Sequence, residues 1–256
     1  VGKEIVYEDS LTGFFSMLAL LSDSYQGPGS DGPFSILPRG RRGQVELFGA
    51  EELMSVPENP EAVRRLLASL ARTGGLSAEE LSRAYLSGSP IELQALAYCR
   101  KALNGPQAAL HDETDPDIRA VRAASRAVLR ELHRFIGILR FRQREDGIYQ
   151  AEFEPDADIL ELLMPHFQAR FGETPFVIID MRRGKAAGTA EPHLTEAFRP
   201  LEGKEPYVGE EECLALWKIF YHATDNPARR NPALRRHFIP FRYWKHVSEL
   251  EHEEIT

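Results

Sequence analysis

Cysteine is almost missing from the 256-residue chain: Cys99 and Cys213 stand far apart, with no CxxC or CxxxC anywhere. That spacing fits a reducing cytoplasm and argues against an iron–sulfur cluster or a cysteine zinc site. Long apolar runs are missing too. The most apolar stretch, Phe14 to Leu21, falls short of the roughly 18 residues that a membrane span needs. It also lacks a basic leader, so neither a membrane segment nor a signal peptide is expected. GxxxxGKS/T, GxSxG and HExxH are absent as well, which removes several common phosphate-binding, hydrolase and metalloprotease classes without naming another. No cofactor and no metal site is expected, and whether the chain is an enzyme stays open.

What is present is charge of both signs, sorted along the chain. The formal net charge of −8 taken alone argues against nucleic acid, but residues 217–246 hold 7 Lys/Arg against 1 acid and residues 119–144 hold 8 Arg against 1 acid, Glu131. The remaining residues hold 16 Lys/Arg against 37 acids. A protein so polarised can offer a basic face while its acidic remainder limits indiscriminate binding.

In chain order, Glu4 to Glu8 reads as a strand and Asp9 or Ser10 as the cap of an apolar helix. Phe34 to Leu37 is placed to form a hairpin with Gln44 to Phe48, around a tip carrying Arg39, Arg41 and Arg42. Asn59-Pro60, Ser77 to Glu80 and Ser89 to Glu92 each open a helix. Asp115 then caps a helix with Pro116 at its first position. At 100° per residue Arg119, Arg122, Arg126, Arg130 and Arg134 share one face, with Val121, Val128, Leu132 and Phe135 opposite. The stripe reads as an anion-facing surface or as a solvated face tied by salt bridges.

Residues 138–144 alternate as a strand, and a three-residue turn with Gly147 left-handed pairs Phe141 with Ala151, Leu139 with Phe153 and Arg140 with Glu152. A helix follows from Asp158 to Phe171, kinked or broken near Pro165, and then a buried strand ending at Asp180. The order predicts an α+β fold in a single domain, with a mostly antiparallel sheet, packed helices, a helical insert at 59–105 and a basic aromatic segment at 217–246.

That last segment interleaves Trp217, Phe220, Tyr221, Phe238, Phe241, Tyr243 and Trp244 with Lys218, Arg229, Arg230, Arg235, Arg236, Arg242 and Lys245. Cations among flat rings suit phosphate neutralisation plus base stacking. They equally suit an aromatic core whose arginines bind acids elsewhere. Asn231-Pro232 reads as the start of a short helix.

The run LWKIFY through NPARRNPALRRHFIPFRYWKH resembles the C-terminal signature of a bacterial family described as DNA-metabolism and DNA-repair proteins. The resemblance extends to ELHRFIGILRF, AEFEPDADILELLMPHFQARF and the strand ending at Asp180. Members of that family are encoded beside a radical-SAM protein of DNA modification or repair, and some are fused to a uracil-DNA-glycosylase-like domain. The resemblance implies a DNA-binding accessory protein, in the cytoplasm, with DNA and the radical-SAM protein as partners.

The nucleic-acid-binding candidates are Arg119, Arg122, Arg126, Arg130, Arg134, Arg229, Arg230, Arg235, Arg236, Arg242, Tyr243, Trp244 and Lys245. An alternative is a base- or lesion-processing enzyme using Asp180, His166 or His133. A third is a scaffold whose basic face receives an acidic protein. His111 and the clustered acids Asp112, Glu113, Asp115 and Asp117 read as caps and a polar loop before a helix rather than as metal ligands.

Overall fold

The computed structural model describes residues 3–24, 34–39, 52–72, 77–105, 110–190, 215–216, 219 and 231–247. The chain divides into two compact units, residues 1–129 and 130–256.

In the first unit three strands, β1 (Lys3–Tyr7), β2 (Phe34–Pro38) and β3 (Glu52–Val56), lie in the order β2-β1-β3, both neighbours parallel to β1. Helix α1 (Leu11–Ser24) separates β1 from β2 and supplies the crossover that a parallel pair requires. The turn into α1 is tight: the Ser10 hydroxyl oxygen accepts from Gly13 N at 2.9 Å, and a Cβ at Gly13 would stand 2.1 Å from the Glu8 carbonyl oxygen. Ile5 and Tyr7 of β1 pack with Phe14, Leu18 and Leu21 of α1 in one core.

Helices α2 (Pro60–Arg72), α3 (Ser77–Leu86) and α4 (Glu92–Asn104) follow. Asn59 opens α2 as its sequence requires, its Oδ1 accepting from Ala62 N at 3.0 Å. Leu70, Leu81, Leu96 and Tyr98 join the same core, as do Ile118 and Val121 at the start of α5 (Pro116–Ile138). The division between the units falls inside α5.

The second unit holds β4 (Arg142–Gln143), β5 (Tyr149–Phe153), α6 (Leu160–Phe171), β6 (Phe176–Asp180) and β7 (Lys185–Gly188). The sheet order is β4-β5-β6-β7, antiparallel, parallel and antiparallel in turn. A short α7 (Pro232–Phe238) and a 3₁₀ helix (Phe241–His246) complete the described residues.

Gly147 takes φ 83°, and the pairing Arg142 to Gln150 is the register expected from the three-residue turn. The strand is only two residues long because α5 runs on to Ile138. Nor does Pro165 break α6, which stays continuous around it.

The architecture is α+β, but the sheets are not mostly antiparallel. All pairings of the first sheet and the central pairing of the second are parallel, because α1 and α6 act as crossovers that carry the chain back between β1 and β2 and between β5 and β6. Likewise the described partner of Phe34 to Leu37 is β1, while residues 44–48 lie outside the described set. Arg39 at the end of β2 pairs with Glu8 at 2.9 Å.

β7 hugs β6 so closely that a Cβ at Gly188 would lie 2.0 Å from the Phe176 carbonyl oxygen. Backbone on both sides cannot yield, so Gly188→Ala is expected to destabilise the second unit by about 1 to 3 kcal/mol. Urea denaturation followed by tryptophan fluorescence checks this, because Trp217 and Trp244 both belong to that unit.

Among the described residues no helix is long and apolar enough to cross a membrane.

Candidate nucleic-acid interface

Helix α5 begins as its sequence dictates. Asp115 Oδ1 accepts from Asp117 N at 3.0 Å and Ile118 N at 3.2 Å, and its Oδ2 pairs with Lys101 Nζ at 2.5 Å. The Lys101 ammonium, with those backbone donors, holds the Asp115 carboxyl below its ordinary range. Asp112 accepts from both the backbone and the hydroxyl of Thr114. These acids are spent on a turn and a cap. Among the described residues no group of three or more His, Cys, Asp or Glu side chains is placed to hold a metal ion.

The five arginines of α5 do not share one fate. Arg119, Arg126 and Arg130 are exposed and have no ion pair among the described residues. Arg122 is largely covered and stands 3.4 Å from Glu80. Arg134 donates through Nε to the Phe238 carbonyl at 2.6 Å, with its guanidinium 5.7 Å from the Tyr243 ring centroid.

The buried face of the helix drifts along its length. In the first half it is Ile118, Val121, Ser125 and Val128, and in the second Glu131, Phe135 and Ile138. The drift brings Arg122 beside the buried side near one end and Arg134 beside it near the other, leaving the middle of the stripe in water.

Glu131, the lone acid of the helix body, is 6% exposed. Its Oε1 accepts from Asp156 N at 2.8 Å and from the Tyr243 hydroxyl at 2.7 Å, and its Oε2 accepts from Ala157 N at 2.8 Å. A buried carboxylate with three donors is satisfied. It ties the loop after β5 and the C-terminal 3₁₀ helix to α5.

That loop, Glu154 to Asp158, is acidic, and cations from the turn after β6, from β7 and from the 3₁₀ helix meet it. Asp156 Oδ1 accepts from Arg182 Nη1 at 2.7 Å, and its Oδ2 pairs with Arg242 Nη2. Arg183 donates to the carbonyls of Pro155 and Asp156, and Lys185 meets Asp158 at 2.6 Å. A cleft of about 330 Å³ is bordered by Glu154, Asp156, Met181, Arg182 and Arg242. Two arginines and two carboxylates leave it electroneutral, so its arginines serve the fold and do not form an anion hole.

The 3₁₀ helix sorts its residues by its three-residue period. Phe241 and Trp244 fall on one side, their centroids 4.5 Å apart, and the Trp244 indole donates to the Ile239 carbonyl at 2.8 Å. Arg242 turns to Asp156. Tyr243 turns inward, 0% exposed, edge-on to Phe135 at 4.9 Å. Burial, then the Glu131 carboxylate, pushes its phenol up to about 12.

Three expectations are therefore corrected. Tyr243 cannot offer a face for stacking, because Phe135, Arg134, Arg242 and Glu131 enclose it. Arg122, Arg134 and Arg242 are engaged within the chain. Asp180, 0% exposed, staples the turn after β6 by accepting from Arg182 N, Arg183 N and Arg183 Nη1, so its ion pair is with Arg183.

His133 and His166 are exposed, not set in a core, and His166 lies edge-on to Phe167. Among the described residues no hydrogen bond or ring contact joins the two histidines to Asp180 or to each other. Asn231 caps α7, accepting from Leu234 N at 2.9 Å. Arg236 is exposed, with its guanidinium 5.9 Å from the Phe241 centroid, and Arg235 is half-buried. Arg229, Arg230 and the Lys245 side chain lie outside the described residues, as do Trp217, Lys218, Phe220 and Tyr221.

Sequence reasoning missed Glu131, Asp156 and Arg183 as the lock of this unit. The signal was the isolated acid in an arginine helix.

Residues 91–249 match DUF4130, a domain of unknown function. The chain belongs to the DUF4130 family. A search of curated proteins finds no match to the chain. The region matched in DUF4130 runs from the start of α4 past the 3₁₀ helix, and so contains the whole Glu131 network and the arginines of α5.

Proposed function

We propose that the chain is a DNA-binding accessory protein of bacterial DNA repair or modification, cytoplasmic and acting beside a radical-SAM protein. The observation that supports DNA binding is the row Arg119, Arg126 and Arg130, exposed along α5 and without an ion pair among the described residues. In a protein of net charge −8, arginines that the surrounding acids leave unpaired suit an external polyanion. Spaced along a helix, they suit phosphates and not base edges, which calls for affinity with little sequence preference. The radical-SAM partner and the bacterial setting rest on the sequence resemblance alone.

An enzyme reading has less support, since Asp180 is consumed by its turn. Charge reversal tests the reading. Arg126→Glu with Arg130→Glu is expected to weaken binding to every short duplex at low salt by a similar factor, about tenfold or more. Circular dichroism is expected to stay unchanged, because both side chains are exposed. Fluorescence anisotropy reads the effect, and undiminished binding by the double variant would move the contact surface off α5.

A further inference from the structure

We propose that the Phe241–Trp244 ridge is a stacking platform for unpaired nucleobases, which makes single-stranded nucleic acid the ligand of this part of the second unit. The inference rests on the DNA-binding reading above and adds which form of nucleic acid is bound and which ring receives it.

The 3₁₀ period puts Phe241 and Trp244 on one side while Tyr243 fills the interior. Phe241 is 42% exposed. An exposed ring pair of this kind fits an apolar protein partner or a nucleobase. Charge decides between them here. Residues 231–247 contain no acid, and besides Arg242, which pairs with Asp156, they hold Arg235, Arg236 and Lys245; the exposed Arg236 guanidinium stands over the Phe241 ring, 5.9 Å from its centroid.

The Arg236 guanidinium stands over the Phe241 ring, within reach of the phosphate that a base stacked on the exposed ridge would bring, and stacking accepts any base because each has a π-face. Duplex DNA keeps those faces covered by neighbouring bases, so the platform selects strands whose bases are unpaired.

The test uses the full chain and three labelled probes at low salt: oligothymidylate, an abasic strand of the same length and charge, and a duplex. The wild type is expected to bind oligothymidylate about tenfold more tightly than the abasic strand. Phe241→Leu, which keeps apolar bulk but removes the ring, should erase most of that preference and leave abasic and duplex binding unchanged. Phe241→Trp should retain it.

Equal affinity of the wild type for the thymidylate and abasic strands overturns the platform while leaving DNA binding intact. So does a folded Phe241→Leu variant with undiminished preference, an outcome that would assign the ridge to a protein partner. Failure of the wild type to bind any of the three probes overturns the DNA-binding reading itself.

Discussion

Replacing Glu131 by alanine is expected to destabilise the second unit by about 3 kcal/mol or more, although the helix-forming residue it introduces is better than the one it removes. The carboxylate accepts from Asp156 N, Ala157 N and the Tyr243 hydroxyl. Its loss strands three donors at a buried place, and each stranded donor costs about 1 to 3 kcal/mol. Glu131→Gln should recover only part of the loss, since one of its two terminal atoms donates where the site needs acceptors.

By comparison, Glu161→Ala in the first turn of α6, at an exposed position, is expected to change stability by no more than about 0.5 kcal/mol. Urea denaturation of the full chain followed by tryptophan fluorescence separates the cases. A Glu131→Ala midpoint equal to that of the wild type would mean that the carboxylate does not hold the loop.

Truncating Tyr243 to alanine is expected to cost about 3 to 5 kcal/mol, in the range of large aromatic deletions from a packed core. Its ring packs edge-on to Phe135 and its hydroxyl joins Glu131 to Arg242. Tyr243→Phe keeps the ring and loses only the hydroxyl, for about 1 to 2 kcal/mol.

The phenol also sets an alkaline limit. Its folded value is raised from 10.0 to about 12, so the native state holds a proton that the unfolded state has released. The corresponding stability is fully present below pH 10.0 and lost as the pH rises through about 12. The wild type should therefore lose more stability over that interval than Tyr243→Phe does, in parallel denaturation series. Equal losses would place the titrating group elsewhere.

Local chemistry made several of these elements legible in the sequence. Asp115-Pro116 and Asn231-Pro232 announce helix starts through a side-chain acceptor and a proline that needs no donor, and both caps form. The turn at Gly147 fixed the β4–β5 register through its length.

Pairing at long range was not legible. β2 finds β1 only after α1 has crossed between them. β3 was passed over because Leu53 and Met54 are both exposed and give no alternation of buried and solvated positions. The split of the arginine stripe was hidden for a related reason. A helical wheel assumes one buried side along the whole helix, whereas the buried side of α5 drifts from Ser125 towards Glu131. In the C-terminal signature, composition could not tell Tyr243 from Phe241, because which ring turns inward depends on a 3₁₀ period that no cap or spacing in the sequence revealed.

The most direct test of the account is the salt dependence of duplex binding by the wild type and by a chain in which Arg119, Arg126 and Arg130 are replaced by glutamine. If these arginines contact phosphates, the logarithm of the association constant falls linearly with the logarithm of salt concentration, by about 0.9 per contact. The account predicts a slope that is shallower in the triple variant by up to about 2.7, with both proteins folded. Identical slopes for the two proteins would contradict it.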